Sequence, residues 1–130
     1  MRCLVAEDDF GSRRLLQVML SSRGRCDVVV DGDEAVEAFR LAWEENRPYD
    51  MLFLDIMMPR MSGVDALKKI REIEKDIGIK PRDEVPVIMT TALGDPKNVV
   101  GAYHEGGATS YLVKPIERAA VEAEIDKIES

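Results

Sequence analysis

The segment Met51-Leu52-Phe53-Leu54-Asp55-Ile56-Met57-Met58-Pro59 decides the fold. A continuous apolar run ends in one carboxylate and then in turn chemistry. Such a run reads as a strand buried on both faces, as in parallel sheets. The acid at its mouth, Asp55, either faces a crevice held by rigid scaffold or opens a solvated turn. The segments on either side choose between the two.

Upstream, Glu34 to about Glu45 carries Val36, Phe39 and Trp43 on one helical face, and Asn46-Arg47-Pro48 closes it. Asp31-Gly32-Asp33 is the turn and cap before that helix. Cys26 to Val30 is a strand rich in β-branched residues. Ser12 to Arg23 is a helix with an apolar stripe of Leu15, Leu16, Val18, Met19 and Leu20, stopped by Gly24. Cys3 to Ala6 is a short buried strand that ends at Glu7-Asp8-Asp9.

Downstream, Ser62-Gly63-Val64-Asp65 is a capping box that opens a third helix through Leu67, Ile70 and Ile73. Gly78 to Glu84 is a polar loop. Val85 to Met89 is a fourth strand, entered through Pro86 and ended by Thr90-Thr91. Asp95-Pro96 starts a fourth helix that runs to about Glu105. Gly101 inside it costs ~1 kcal/mol against alanine, so this helix is the least secure of the set. Ser110 to Val113 is a fifth strand, and after Pro115 a fifth helix runs to Glu129 with Val121, Ile125 and Ile128 at helical spacing.

Strands and helices therefore alternate five times. That order predicts an α/β fold with a doubly wound, five-stranded parallel sheet, flavodoxin-like, with strand order 2-1-3-4-5 and helices on two faces. The 130 residues suit one domain, 1–130.

Composition narrows the function. The net charge is −7, from 18 basic and 25 acidic residues, which excludes a nucleic-acid binder that relies on a basic surface. It suits a chain that holds a cation or meets a basic partner. Cys3 and Cys26 sit in strands and read as small hydrophobes, and no cysteine–histidine spacing suggests zinc. Acids appear too early for a signal peptide, and no apolar run approaches the ~20 residues of a membrane span. The expected location is the cytoplasm, without membrane contact.

Ligands of open parallel sheets bind outside the carboxyl ends of the strands, at the switch point between the first and third. The first strand ends in Glu7 and Asp8, the third in Asp55, the fourth in Thr91 and the fifth in Lys114. Only the second ends in a plain turn. Three converging carboxylates repel one another unless a cation intervenes, and Mg²⁺ takes such oxygen ligands. Lys114 adds a point charge and Thr91 a hydroxyl. A carboxylate so surrounded can act as a nucleophile toward phosphorus.

With those residues in place, the chain resembles the receiver domain of two-component response regulators, of the stand-alone, chemotaxis-regulator type. The resemblance rests on Leu4-Val5-Ala6-Glu7-Asp8-Asp9, on Leu54-Asp55-Ile56-Met57-Met58-Pro59 with Gly63, on Met89-Thr90-Thr91-Ala92, and on Gly107-Ala108-Thr109-Ser110-Tyr111-Leu112-Val113-Lys114-Pro115. It implies that Asp55 is the phosphoacceptor and that Asp8, Asp55 and the backbone carbonyl of Met57 bind Mg²⁺ (or Mn²⁺), with Glu7 acting through water. Thr91 is then the switch hydroxyl, Lys114 the partner of the phosphoryl group, and Tyr111 the aromatic that follows the switch. A cis Lys114-Pro115 bond is expected. The implied partners are a histidine kinase or phosphotransfer protein upstream and a downstream protein target, met through the surface of the fourth helix, fifth strand and fifth helix. No direct nucleic-acid contact is expected, and no output domain.

Alternatives stay open on the residues alone. The acidic pair can be Glu7-Asp8 or Asp8-Asp9. Glu7-Asp8 is preferred because the strand then ends directly at the pair and Arg13 takes the family's usual arginine position. Thr91 is preferred over Thr90 because the small Ala92 follows it. A phosphatase of the haloacid dehalogenase type needs a second Asp two residues after the nucleophile, where Met57 stands. A receiver-like interaction module that never takes phosphate is disfavoured by the complete set of acids, threonine and lysine. Neither Met57 nor Leu93, two residues past Asp55 and Thr91, can orient a water, so slow self-dephosphorylation is expected. The chain is either a stand-alone regulator or a piece of a longer protein.

Overall fold

The computed structural model describes residues 1–92 and 107–129. The strands are β1 (Arg2–Ala6), β2 (Arg25–Val29), β3 (Met51–Asp55), β4 (Val87–Thr91) and β5 (Ser110–Val113). They form one parallel sheet in the order β2-β1-β3-β4-β5. The helices are α1 (Phe10–Leu20), α2 (Gly32–Glu44), α3 (Gly63–Asp76) and a C-terminal helix, Arg118–Glu129. The fourth helix expected over Asp95 to Glu105 lies outside the described residues, as does Leu93.

Alternation along the strands divides the core into two layers. Leu4, Ala6, Leu52, Leu54, Val87 and Met89 pack under α2 and α3, against Val36, Phe39, Leu67 and Ile70. Cys3, Val5, Met51, Phe53, Ile88 and Leu112 pack on the other face, against Leu16, Met19 and Leu20 of α1 and Val121 and Ile125 of the C-terminal helix. Every residue of β3 is buried, as its apolar run requires.

Local chemistry sets the helix starts. The Asp9 side chain accepts from the Ser12 N–H at 2.9 Å, so α1 begins at Phe10 rather than at Ser12. Asp31 caps α2 in the same way through Glu34 N–H, and Ser62 caps α3 through Asp65 N–H. β4 is displaced from the sequence reading. Proline has no N–H to give the ladder, so Pro86 only accepts, from Leu52 N–H at 3.0 Å, and the strand starts at Val87, two residues after Val85. It then runs on through Thr90 and Thr91, which pair with Leu112 and Val113. The polar loop before it contains a short 3₁₀ turn, Pro81–Asp83.

One buried carboxylate ties these parts together. Glu74, in the last turns of α3, accepts from Val85 N–H and from Arg71 Nη1, both at 2.6 Å. Arg71 Nη2 in turn donates to the carbonyl of Gly107 at 2.8 Å. The end of α3 is thus stitched to the entrances of β4 and β5. Burial pushes the Glu74 carboxyl above its ordinary value, against the opposing pull of the Val85 N–H and Arg71.

Candidate functional site

The site is the last layer of the α1-side core. Val5, Phe53, Ile88 and Leu112 belong to that core. Two residues further along each chain segment, on the same face, stand Glu7, Asp55, Thr90 and Lys114. The ladder continues far enough to hold them, with Glu7 N–H donating to Val29 O at 3.1 Å and Lys114 N–H to Thr91 O at 2.7 Å. The peptide bond after Lys114, to Pro115, is cis.

Carboxylate oxygens of Glu7, Asp8 and Asp55 all lie within 4.8 Å of one another. Glu7 is fully buried and Asp55 is 3% exposed, while Asp8 faces solvent. Asp9 stands apart as the α1 cap. Lys114 Nζ pairs with Glu7 Oε1 and, at 3.2 Å, with Asp55 Oδ2. Asp55 Oδ1 accepts from the Met57 N–H at 3.2 Å. Arg13 braces the acidic turn by donating to the carbonyls of Glu7 (2.9 Å) and Asp8 (3.3 Å).

The electrostatics follow from this crowding. Burial, and then the hydrogen bond shared with Asp55, push Glu7 up to about 8 against the pull of Lys114. Burial also lowers Lys114, but its bond to Glu7 and the charge of Asp55 outweigh that and hold it above its ordinary value. One lysine does not neutralise three carboxylates, so the cluster takes up either a proton or a further cation. An all-oxygen donor set with one exposed member fits a hard divalent ion that keeps several waters.

Thr91 lies on the other row of β4, after Val87 and Met89, and its hydroxyl donates to Ala92 O at 3.3 Å. Tyr111 stands on β5, 40% exposed. The Met57 side chain is 62% exposed beside the acids.

Two contacts that sequence reasoning missed hold the loop between β3 and α3. Arg60 has φ +64, a left-handed backbone, and its guanidinium reaches Asp31 through Nε at 3.0 Å. Gly32 lets the same loop close, because a Cβ there would stand 2.4 Å from Met61 O. Nothing in local periodicity reports a pair 29 residues apart. Asp31 reads only as a cap, although it is almost fully buried.

The Glu34 N–H and then Arg60 hold Asp31 below its ordinary value of 3.8. A depressed carboxyl stabilises the fold above its unfolded value, and that contribution is lost as pH falls through the folded one. The gap in urea midpoint between the wild type and Asp31→Asn should therefore be widest near neutral pH and close on acidification below about pH 4. A gap of constant width would assign the difference to packing alone.

Comparisons with known proteins agree on one family. The model of the response regulator receiver domain matches residues 3–126. The transcriptional regulatory protein ResD of Bacillus subtilis is 35% identical over 115 residues, covering 88% of this chain and 42% of ResD. DltR of Streptococcus agalactiae is 34% identical over 118 residues, covering 90% of this chain and 46% of DltR. The chain thus spans less than half the length of these relatives. Among solved structures, the CheX-CheY-BeF3-Mg complex of Borrelia burgdorferi superposes with TM-score 0.82 and 29% identity over 100% of this chain and 90% of that one. The receiver domain of a sensor histidine kinase of Pseudomonas aeruginosa, with magnesium coordinated in its active site cleft, gives 0.77 and 28% over 97% and 94%. With sheet order, strand-end acids and a match over nearly the whole length in accord, the chain belongs to the receiver domains of two-component signalling.

Proposed function

We propose that residues 1–130 work as one receiver unit that accepts a phosphoryl group on Asp55, from a histidine kinase, a phosphotransfer protein or a small phosphodonor. The observation that carries this is a nearly buried carboxylate at the mouth of β3, bonded to Lys114 at 3.2 Å inside a trio of acids. An Asp55 carboxylate oxygen attacks phosphorus. The bond from phosphorus to the donor's nitrogen or acyl oxygen breaks, and the leaving group keeps the electron pair. Attack by water later releases inorganic phosphate and restores the carboxylate. The chain acts as a catalyst only on its own phosphorylation and dephosphorylation.

Asp8, Asp55 and the Met57 carbonyl would hold Mg²⁺ or Mn²⁺, with Glu7 reached through water. Bound there, the ion neutralises charge on the transferring group. Lys114 leaves Glu7 for the phosphoryl oxygens, and the Thr91 hydroxyl turns from Ala92 toward the same group. Tyr111 follows, and the surface of β5, the C-terminal helix and the fourth helix expected from the sequence is remodelled for a downstream protein. The change is a population shift between two packings. Among the described residues, no helix is long and apolar enough to cross a membrane; we place the chain in the cytoplasm.

Labelled acetyl phosphate with Mg²⁺ should mark the protein, and chelation should prevent it. Because the exposed thioether of Met57 orients no water, self-dephosphorylation should be slow and the label should outlast seconds in Mg²⁺ buffer. Loss within seconds would overturn the lifetime expectation, and no labelling at all would overturn the reading itself.

A further inference from the structure

Thr90 has a hydroxyl where the core calls for a methyl. It is fully buried in β4, directly above Ile88 on the α1-side face. Its Oγ1 is itself buried and has no hydrogen-bond partner among the described residues. A buried hydroxyl without a partner destabilises a fold relative to valine of the same shape. Such a group asks what state of the protein uses it.

Strand register answers where. Thr90 is the β4 partner of Asp55, and Leu112, its partner on β5, precedes Lys114 by two residues. Asp55, Thr90 and Lys114 therefore share one face and one layer. Thr91 occupies the opposite row, with its hydroxyl on Ala92 O. In this structure the two Asp55 oxygens are served by the Met57 N–H and by Lys114 Nζ.

We propose that Thr90 is a positioning residue, with Oγ1–H donating to the Asp55 carboxyl group once that group is phosphorylated. The inference rests on Asp55 being the phosphoacceptor. Phosphorylation esterifies one Asp55 oxygen and draws Lys114 to the phosphoryl group, so the remaining oxygen loses its ammonium partner. A threonine paired with Asp55 in the same layer can offer a donor by rotation about χ1. The hydroxyl is idle in one state and bonded in the other, which favours the phosphorylated packing.

The test compares the whole chain with Thr90→Val and Thr90→Ser by urea midpoint without ligands and by calorimetric titration with beryllofluoride in Mg²⁺. Thr90→Val should keep or raise the ligand-free midpoint while weakening beryllofluoride binding about tenfold, as befits loss of a bond to a charged or strongly polarised group. Thr90→Ser, which keeps the hydroxyl, should bind within about twofold of wild type. Equal binding by Thr90→Val overturns the proposal. So does equal weakening by both variants, which would mean packing, or a lowered ligand-free midpoint for Thr90→Val, which would mean the hydroxyl is already bonded. A wild-type chain that gives no response to beryllofluoride would instead remove the phosphoacceptor reading beneath it.

Discussion

Asp55→Asn should reduce labelling from acetyl phosphate to background, a loss of at least about three orders of magnitude, as removing a nucleophile does elsewhere. The amide keeps the size of the side chain and an oxygen that can still accept from Met57 N–H. What it lacks is the negative charge and the nucleophilic lone pair. Stability should move little, within about 1 kcal/mol, because two effects oppose each other. One is the lost pairing with Lys114, which still has Glu7. The other is relief of repulsion inside the Glu7, Asp8 and Asp55 cluster. A urea midpoint close to wild type therefore separates lost chemistry from lost folding. Label that survives on Asp55→Asn would move the acceptor to another residue, with Asp8 the first to try.

Gly63→Ala sets two physical effects against each other and has the largest expected cost to stability. Gly63 is the first residue of α3, where alanine is the better helix former by ~1 kcal/mol. Its backbone needs no special dihedral, since the positive-φ glycines among the described residues are Gly24, Gly78 and Gly107. Space is the constraint. A Cβ on Gly63 would stand 2.1 Å from the carbonyl oxygen of Asp55 and 3.0 Å from the Ile56 Cα. Both obstacles are backbone and neither can rotate away. The helix start must back off from the end of β3, which strains the Gly63 N–H bond to Ile56 O, now 2.9 Å. We expect a net loss of about 3 kcal/mol, with overpacking outweighing propensity. Beryllofluoride binding should weaken as well, because the carboxylate of Asp55 hangs on the displaced backbone. An unchanged or higher urea midpoint for Gly63→Ala would show that propensity wins and that the contact yields cheaply.

The five strands and their order were legible because each apolar run is short, uninterrupted and bounded by turn residues. The acids were legible because Glu7, Asp8 and Asp55 stand where runs stop. What was hidden has a common cause. The end of β4 depends on which face its neighbours leave free, so Thr90 and Thr91 look alike in sequence and lie on opposite faces in the sheet. Three consecutive acids leave the pair ambiguous in sequence; in the structure Asp9 is a helix cap, and Glu7 and Asp8 stand beside Asp55. Asp31 read only as a cap, since burial of a charge depends on distant partners such as Arg60. The β3–α3 loop likewise gave no sign of Arg60's left-handed backbone.

The Asp31–Arg60 contact changes the standing of the edge strand. β2 places no side chain in the Glu7, Asp8 and Asp55 cluster, and β1 lies between it and β3. Yet Asp31, two residues past its end, anchors the loop that carries Met57, whose carbonyl we propose as a metal ligand. The periphery of the sheet thereby acts as a tether on the geometry of the proposed site. Changes on the β2–α2 side, in a segment free of any catalytic motif, become a route by which related chains can retune the site while leaving all its acids in place.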